Sequence, residues 1–386
     1  MVERQRDTLV FFEDIASMNK GKHTLRFGGG VRPRFLWAQD ASNFGGTFSY
    51  SSLTDFAQQR PYLFTQNAGN PIIDFSQHET YAFVQDEIRL RPNLSLVPGI
   101  RHEWQSDGNS VKNFAPRLAV AWSPRGKNTV LRAGLGVFYD RQPESMDRQS
   151  LLEDGVRIRK IVIPDPAFSV LPASMLLLPG VTPSVVRIGP ALQIPYLMLG
   201  SLTLERRLRG QTHLSVEYST VRGLKLYRTR NINAPLTGTA FRPDPAFLNV
   251  NQFESTGSSR GNSLAVTIQN RGYKRLSFLA QYTLSHTTDD TSGLSSLPAN
   301  NYDLRLEHGR ADYDQRHRLL LLGTYSAMWG LRLGTTFQAS SGAPFDITTG
   351  FDNNHDTVAT TGPPDSTATA GRDRECSNST CAFPRQ

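Results

Sequence analysis

Apolar and polar residues alternate with a period of two along most of the chain. Between residues 131 and 140, Leu, Ala, Leu, Val and Tyr occupy the odd positions, and Arg, Gly, Phe and Asp occupy the even ones. The same alternation recurs at 117–122, 213–218, 263–269, 276–284 and 331–337. This period is typical of β-strands with one apolar face. About a dozen such segments of roughly ten residues are predicted, which is the length that a tilted strand needs to cross a bilayer.

Short and long connections alternate between these segments. Tight turns are predicted at Pro92–Asn93, Pro124–Asn128, Arg209–Gly210, Gly272–Lys274 and Met328–Gly330. Long polar loops are predicted at Asp40–Ser76, Arg141–Pro195, Gly223–Gly261 and Thr287–Asp314. These loops far exceed the roughly 2 to 5 residues of a hairpin connection. We therefore predict an all-β fold, an antiparallel transmembrane β-barrel with short periplasmic turns and long extracellular loops.

The composition agrees with a barrel and excludes a helical membrane protein. Apolar residues make up 38% of the 386 residues, and the mean hydropathy is -0.39. The longest apolar stretch, Val170–Val181, contains two prolines and is shorter than the roughly 20 residues of a membrane helix. A barrel keeps such an average composition because only alternate residues face lipid.

The chain is basic, with 42 Lys and Arg against 34 Asp and Glu and a formal net charge of +8. Several arginines fall on the polar side of the alternation, namely Arg26, Arg32, Arg34, Arg101, Arg117 and Arg132. Inward or rim arginines could bind lipopolysaccharide phosphates or steer an anionic ligand. The alternative is that they solvate the barrel interior and pair with Asp and Glu. We expect no nucleic-acid partner, because the basic composition is not accompanied by a recognised nucleic-acid-binding module.

One segment has the spacing of a weak metal site. Asp352, Asn354 and Asp356 place oxygen ligands at alternate positions, but the glycine and the downstream Glu of a calcium loop are missing. The alternative is a turn in which Asp and Asn hydrogen-bond their own backbone. Elsewhere we find no candidate catalytic residues, because the 8 histidines are scattered and the sequence contains no Gly-x-Ser-x-Gly elbow. We expect neither enzymatic activity nor a cofactor.

The only two cysteines, Cys376 and Cys381, are separated by four residues of types that favour a turn. Because a protein of the outer membrane matures in an oxidising compartment, we predict a disulfide between them. The alternative is a pair of free thiols. A metal site is disfavoured, because no His or further Cys lies nearby to complete it.

Several motifs, taken in order, resemble a known family. They are Tyr81–Glu87, Arg91–Leu96, Gly99–Glu103, Asn113–Trp122, Thr129–Asp140, Arg228–Pro235, Asp312–Arg318 and Ser341–Gly350. Together they resemble the barrel of TonB-dependent outer-membrane receptors, and within that family the large Oar-like receptors that carry a carboxypeptidase-regulatory-like domain. The resemblance extends over most of the chain.

The resemblance implies a barrel of about 22 strands, of which this chain supplies about 12. We therefore interpret residues 1–340 as a partial receptor barrel and residues 341–386 as an extracellular loop or a truncated tail. We identify no signal peptide, plug, TonB box or closing C-terminal strand in the sequence. The chain is accordingly interpreted as an internal piece of a larger receptor, whose contact with the TonB complex would lie in a missing N-terminal region.

Two functions from different classes follow as hypotheses. The first is that extracellular loops capture an unidentified ligand and that a TonB-coupled barrel takes it up across the bacterial outer membrane. The second is an adhesion or structural barrel without transport. Outer-membrane lipid and lipopolysaccharide are the expected surroundings in either case. A secreted soluble β-protein is a third possibility and predicts solubility without detergent.

Overall fold

The computed structural model describes residues 3–358 except 107, 109–111, 125–127, 167–181, 237–238, 274, 292, 347–348, 350 and 353–354. Strands dominate this part of the chain. The first nine are β1 (Glu3–Leu9), β2 (Phe12–Lys20), β3 (His23–Asp40), β4 (Thr47–Ser49), β5 (Leu63–Gly69), β6 (Ile72–Arg91), β7 (Leu94–Gln105), β8 (Asn113–Trp122) and β9 (Thr129–Tyr139). The others are β10 (Ile158–Pro164), β11 (Val185–Ile188), β12 (Tyr196–Arg207), β13 (Thr212–Asn231), β14 (Val250–Tyr273), β15 (Leu276–Asp289), β16 (Gly309–Arg310), β17 (His317–Ser326) and β18 (Arg332–Ser340).

The long strands form one antiparallel sheet in which chain neighbours pair. Its order is β1-β3-β6-β7-β8-β9-β12-β13-β14-β15-β17-β18, and β2 pairs with the first half of β3. A second sheet, β10-β5-β4, and the parallel pair of β11 with β14 lie in the long connections. Within the described residues, no pairing joins β1 or β2 to β18. The number of strands in a closed barrel stays a prediction.

Helices are few and short in the described residues. They are α1 (Leu53–Ala57), α2 (Glu144–Leu152) and two 3-10 turns at Leu304–Glu307 and Met328–Gly330. The Ser52 hydroxyl caps α1 by accepting a hydrogen bond from the backbone N–H of Asp55 at 3.0 Å. No helix in the described part of the chain is long and apolar enough to cross a membrane.

Short and long connections fall on opposite sides of the sheet, as the sequence predicts. The turns after β6 and β12 lie at Pro92–Asn93 and around Arg209–Gly210, and Met328–Gly330 joins β17 to β18. One predicted loop is wrong in its bounds. The connection expected at Gly223–Gly261 is confined to residues 232–249, because β13 and β14 stay paired up to Asn231 and Asn251.

Apolar residues are distributed differently in the two parts of the fold. On the main strands, many large apolar side chains are exposed, such as Leu135 at 66% and Leu202 at 52%. This is the pattern of a surface that faces lipid. The compact clusters lie on the side of the long loops. One contains Leu36, Ala38, Ile73, Leu152 and Ile158, and the other contains Met146, Val186, Leu192 and Phe253.

Candidate functional site

The polar face of the sheet, called the inner face below, carries the arginines identified in the sequence. Cross-strand register connects Arg26, Gln85, Gly99, Arg117 and Gly136 in one row. Because side chains alternate across a strand, the other predicted arginines share this face, namely Arg32, Arg34, Arg101 and Arg132. The opposite, outer face carries the apolar residues.

Most of these arginines have carboxylate partners. Arg34 Nη2 lies 2.5 Å from Asp7 Oδ2, and Arg132 Nε lies 3.1 Å from Glu205 Oε1. Arg101 pairs with Glu103. The contacts favour the interpretation in which inner-face charges neutralise one another.

Glu79 joins two further arginines at the end of the inner face next to the long loops. Its carboxylate lies 3.1 Å from Arg141 Nε and 3.9 Å from Arg32 Nη1. Arg141 lies two residues beyond the end of β9, so the pair links the wall to the start of a long connection. The sequence pattern does not indicate that Glu79 and Arg141 meet.

Aromatic rings lie between these charges. The guanidinium carbon of Arg101 is 3.8 Å from the centroid of Tyr81, and that of Arg32 is 5.5 Å away. Such stacking stabilises a cation in a partly dry environment. The ring covers Gly30, where an added Cβ would come within 2.9 Å of Tyr81 Cε1.

Arg117 and Phe138 form a second stack. The guanidinium carbon is 4.3 Å from the ring centroid, and within the described residues the buried Nε has no hydrogen-bond partner. Gly136 leaves the space for the ring, since a Cβ there would lie 2.9 Å from Phe138 Cε2. Arg117 therefore stacks on an aromatic ring, whereas the inner-face arginines Arg101 and Arg132 pair with carboxylates.

The sheet curves around a cavity of about 890 Å³. Its lining comes from strands as far apart in the sheet as β6 and β17, and it includes Gln85, Arg117, Ser201, Ser263, Tyr313 and Arg318. The lining is thus mixed, with apolar wall residues between hydroxyl, amide and guanidinium groups. A cavity of this size can contain a drug-sized molecule or a packed protein segment.

Helix α2 lies against the wall at the end of the cavity on the long-loop side. The buried Asp147 carboxylate accepts hydrogen bonds from Gln77 Nε2 at 2.5 Å and from Gln142 Nε2 at 2.6 Å. Gln105 in turn donates to the Gln142 carbonyl at 3.1 Å. The Asp147 carboxylate therefore links α2 and Gln142 to β6, and Gln142 in turn links them to β7.

An asparagine network organises the loop between β13 and β14. Asn231 Nδ2 donates to Asn249 Oδ1 at 2.8 Å, and Asn233 Nδ2 donates to the Phe247 carbonyl at 2.8 Å. Asn301 Oδ1 accepts from the backbone N–H of Asn231 at 2.8 Å, which links this loop to the one after β15. The asparagines at 231, 233 and 301 are at most 2% exposed. Buried amides that are bonded in this way rigidify loops.

Arg242 closes the same loop. Its Nη1 donates to the carbonyls of Leu248 at 2.6 Å and Asn233 at 2.8 Å, and its Nη2 donates to the His355 carbonyl at 2.8 Å. Burial lowers the pKa of the Arg242 guanidinium, and the nearby Asp356 carboxylate opposes this shift. An arginine stays charged at neutral pH despite such a shift.

Strong ion pairs support the extensions of β13 and β14 toward these loops. Arg228 Nη2 lies 2.6 Å from Asp290 Oδ1, and Arg230 Nη2 lies 2.7 Å from Glu254 Oε1. Charge-assisted pairs of this kind are short and directional. They hold the paired strands together beyond the outer apolar face.

Two of the three candidate metal residues, Asp352 and Asp356, are described, and Asp356 contacts the asparagine network. Asp352 Oδ1 accepts from the N–H of Asp356, and Asp352 Oδ2 accepts from the N–H of Thr357, at 3.0 and 2.8 Å. Asp356 Oδ2 accepts from Asn301 Nδ2 at 2.9 Å. Asn354 lies outside the described residues, among which no group of three His, Cys, Asp or Glu is placed to hold a metal ion. The weak metal assignment stays a prediction.

The predicted disulfide between Cys376 and Cys381 also lies outside the described residues and stays a prediction.

The asparagine network was not predicted from the sequence, although two of its members, Asn231 and Asn233, lie in a quoted motif. A signal was present in Arg228–Pro235, where two asparagines flank Ile232 just beyond a strand. Their partners are distant in sequence, so the spacing alone does not reveal them.

Comparison with known proteins identifies this architecture. A family model described as outer membrane beta barrel domain matches residues 2–112 and 108–385. No curated protein matches the sequence. The outer membrane transporter YddB from Escherichia coli has the same fold, with a TM-score of 0.61, 12% identity, and coverage of 91% of this chain and 44% of that chain.

Two further solved structures are similar. A mutant of the ferric enterobactin receptor PfeA from Pseudomonas aeruginosa gives a TM-score of 0.54 at 16% identity, covering 93% of this chain and 44% of that chain. The FrpB iron transporter from Neisseria meningitidis, F3-3 variant, gives a TM-score of 0.53 at 12% identity, covering 89% of this chain and 44% of that chain. The chain therefore spans less than half the length of these structures. The predicted fold class is confirmed, whereas the Oar-like subfamily stays a prediction.

Proposed function

We propose, from the premise that this chain belongs to the outer membrane beta barrel domain family, that its protein is a TonB-dependent receptor that takes up a ligand. The chain lies in the bacterial outer membrane, as its family indicates. One observation carries the proposal, namely that 91% of the chain superimposes on the barrel fold of an outer-membrane transporter. The proposal names no ligand.

The long-loop side and the inner face of the barrel would have different roles in uptake. The long-loop side, with its buried amide network and ion pairs, is a rigid surface that can present contact residues to the outside. The inner face would line the path of the ligand, and the TonB complex would deliver energy. We propose that residues 1–340 form the barrel part of the receptor. We propose no enzymatic reaction for this protein.

Depletion of nutrients from the medium tests this function without knowledge of the ligand. We would compare, by mass spectrometry of spent medium, the source strain, a strain without the gene, and the complemented strain. We expect at least one compound to be consumed only when the gene is present. A protonophore should abolish that difference, because uptake through a TonB-coupled receptor needs the proton-motive force.

A matched pair of variants assigns the effect to the loops. Replacing the exposed helix α1, Leu53–Ala57, by Gly and Ser should reduce uptake by about tenfold, since a lost loop contact of about 1.4 kcal/mol has that effect. The same replacement at Met328–Gly330, on the other side of the sheet, should leave uptake unchanged. Equal consumption in all strains, with surface attachment lost in the deletion strain, would instead favour the adhesion function.

A further inference from the structure

Two arginines face outward next to each other above the apolar band of the wall. Arg222 on β13 and Arg260 on β14 are direct cross-strand partners. Their row lies on the outer face, because Tyr218 with Leu264 and Val216 with Val266 pair in the same alternation. Both arginines are exposed, and neither side chain forms a hydrogen bond or ion pair within the described part of the chain.

The arrangement is unfavourable without an anion. Directly opposite residues on antiparallel strands have Cβ atoms about 4.5 to 5.5 Å apart, and like charges in this position destabilise the sheet. A phosphate between the two guanidinium groups would replace this repulsion with charge-assisted hydrogen bonds. The direct cross-strand neighbours of the two arginines offer no competing carboxylate, since Met198 pairs with Arg222 and Thr288 with Arg260.

Nearby acidic groups are engaged elsewhere. Asp290 binds Arg228 at 2.6 Å, and Asp314 binds Arg310 at 2.8 Å. Asp289 is 8% exposed and pairs in register with Ser259. Ser259 precedes Arg260 on β14, so the side chains of Ser259 and Asp289 lie on the other face of the sheet. His286, one row below, contacts Arg316 Nη2 at 3.0 Å and lies 3.6 Å from Asp314 Oδ2. The outward surface around the two arginines is therefore positive.

The position of Arg222 and Arg260 along their strands matches the depth of a lipid headgroup in the membrane. The outward apolar row that contains Tyr218 and Leu264 is followed by Thr220 and Asn262, and the Tyr218 hydroxyl donates to Asn262 Oδ1 at 3.0 Å. A tyrosine with a polar partner is typical of the membrane interface. Arg222 lies four residues beyond Tyr218, or about 13 Å along the strand. On a strand tilted by about 40°, that places the pair roughly 10 Å above the tyrosine row.

We propose that Arg222 and Arg260 form a binding site for a phosphorylated lipid headgroup, the lipid A phosphate of lipopolysaccharide, on the outer wall of the barrel. The site lies toward the long loops, which face the outer leaflet in the proposed orientation. The proposed lipid site rests on that orientation and on the outer-membrane location. It does not require ligand uptake, so the lipid site and the uptake function can each be disproved separately.

The test measures binding of fluorescent lipopolysaccharide to the full-length protein that contains this chain, purified in detergent. The probes are lipopolysaccharide and the same molecule with its lipid A phosphates removed. We expect the protein to bind the phosphorylated form about tenfold more tightly or more, a difference that the variant Arg222→Gln with Arg260→Gln should abolish. The double variant with Lys at both positions should lose only part of it, because Lys keeps the charge without the bidentate geometry.

Arg206 provides the matched control. It is exposed on the outer face of β12 at the opposite end of the wall, paired in register with Leu214. Arg206→Gln should bind like the unchanged protein. All variants should keep their heat-modifiable mobility, and the Lys variant keeps the test valid if the Gln variant does not fold.

Three results would overturn the proposal. They are unchanged binding by the double Gln variant, an equal loss in Arg206→Gln, and equal affinity of the unchanged protein for both probes. Inorganic phosphate separates a lipid site from a site for free anions. Competition by free phosphate at the concentration at which lipopolysaccharide itself binds would assign the arginines to a soluble anion and contradict the lipid assignment.

Discussion

Single glycines decide where the aromatic rings of the inner face can lie. Phe138 belongs to the polar side of its strand's alternation, and the sequence gives no partner for it. In the structure its ring lies over Gly136 and under Arg117. Tyr81 repeats this arrangement over Gly30 with Arg101. A glycine, a ring and an arginine thus form a recurring unit of the wall.

This unit predicts different costs for two substitutions on one strand. In Gly136→Ala the new methyl group would lie 2.9 Å from the Phe138 ring, whereas in Gly134→Ala it would meet only Ser201 Oγ at 3.4 Å. We expect Gly136→Ala to lower the free energy of unfolding by about 1 to 3 kcal/mol, as overpacking does. Gly134→Ala should be close to neutral, as measured by urea unfolding in detergent. The cost of Gly136→Ala should disappear in a Phe138→Ala background, and an unchanged cost there would contradict the packing explanation.

The sequence predicted the face of these residues but not their contacts. Period-two alternation assigned Arg26 and Arg117 correctly to one face, because that assignment depends on local spacing alone. The partner of each arginine depends on cross-strand register, and bulges such as the one at Lys225 change it locally. The spacing of residues along one strand does not show where such a bulge inserts its extra residue.

The elements in the long connections contribute the buried core on that side. Helix α2 buries Met146 and Leu152, one in each of the two apolar clusters. Its polar attachment is Asp147, held by Gln77 and Gln142. Short strands such as β5 and β10 pair with each other across nearly a hundred residues of sequence. Apolar and polar residues do not alternate in these two segments, so periodicity does not identify them from sequence.

Removing the Asp147 carboxylate should free α2 from the wall. Asp147→Ala would leave two buried amides without their acceptor, at a cost of about 1 to 3 kcal/mol for each unsatisfied group. We expect faster proteolysis within residues 141–166 at an unchanged thermal transition of the wall, measured by limited digestion and heat-modifiable mobility. Gln149→Ala on the same helix, where the amide donates to Glu153 at 3.2 Å, should digest like the parent. Identical digestion of both variants would refute this role of Asp147.

The bounds of β13 and β14 show why loop prediction failed where it did. Residues 255–261 contain three Ser and two Gly in seven positions, a composition typical of a loop. Both strands continue through this region with bulges near Leu226. Above the apolar band both faces meet polar surroundings, so the alternation that marks a membrane strand is lost while the pairing continues.

At the scale of the whole molecule, the sequence predicted the class and sidedness of the fold. The alternation, the turns and the ordered motifs led to an antiparallel outer-membrane barrel, which the family match confirms. The organisation of the long-loop side could not be predicted, because its buried amides and ion pairs join segments that are distant in the chain. The orientation of the two sides relative to the membrane is a proposal on which the lipid site and the ligand surface both depend.

Trypsin added to intact cells tests this orientation most directly. The long connections contain exposed Arg157 and Arg305, and the short turns contain exposed Lys22 and Arg209. Of these four sites, we predict cleavage after Arg157 and Arg305 alone, with the turn sites cut only once the outer membrane is permeabilised, as read by mass spectrometry of the fragments. Cleavage at Lys22 or Arg209 in intact cells, with the loop sites spared, would reverse the topology and contradict the account.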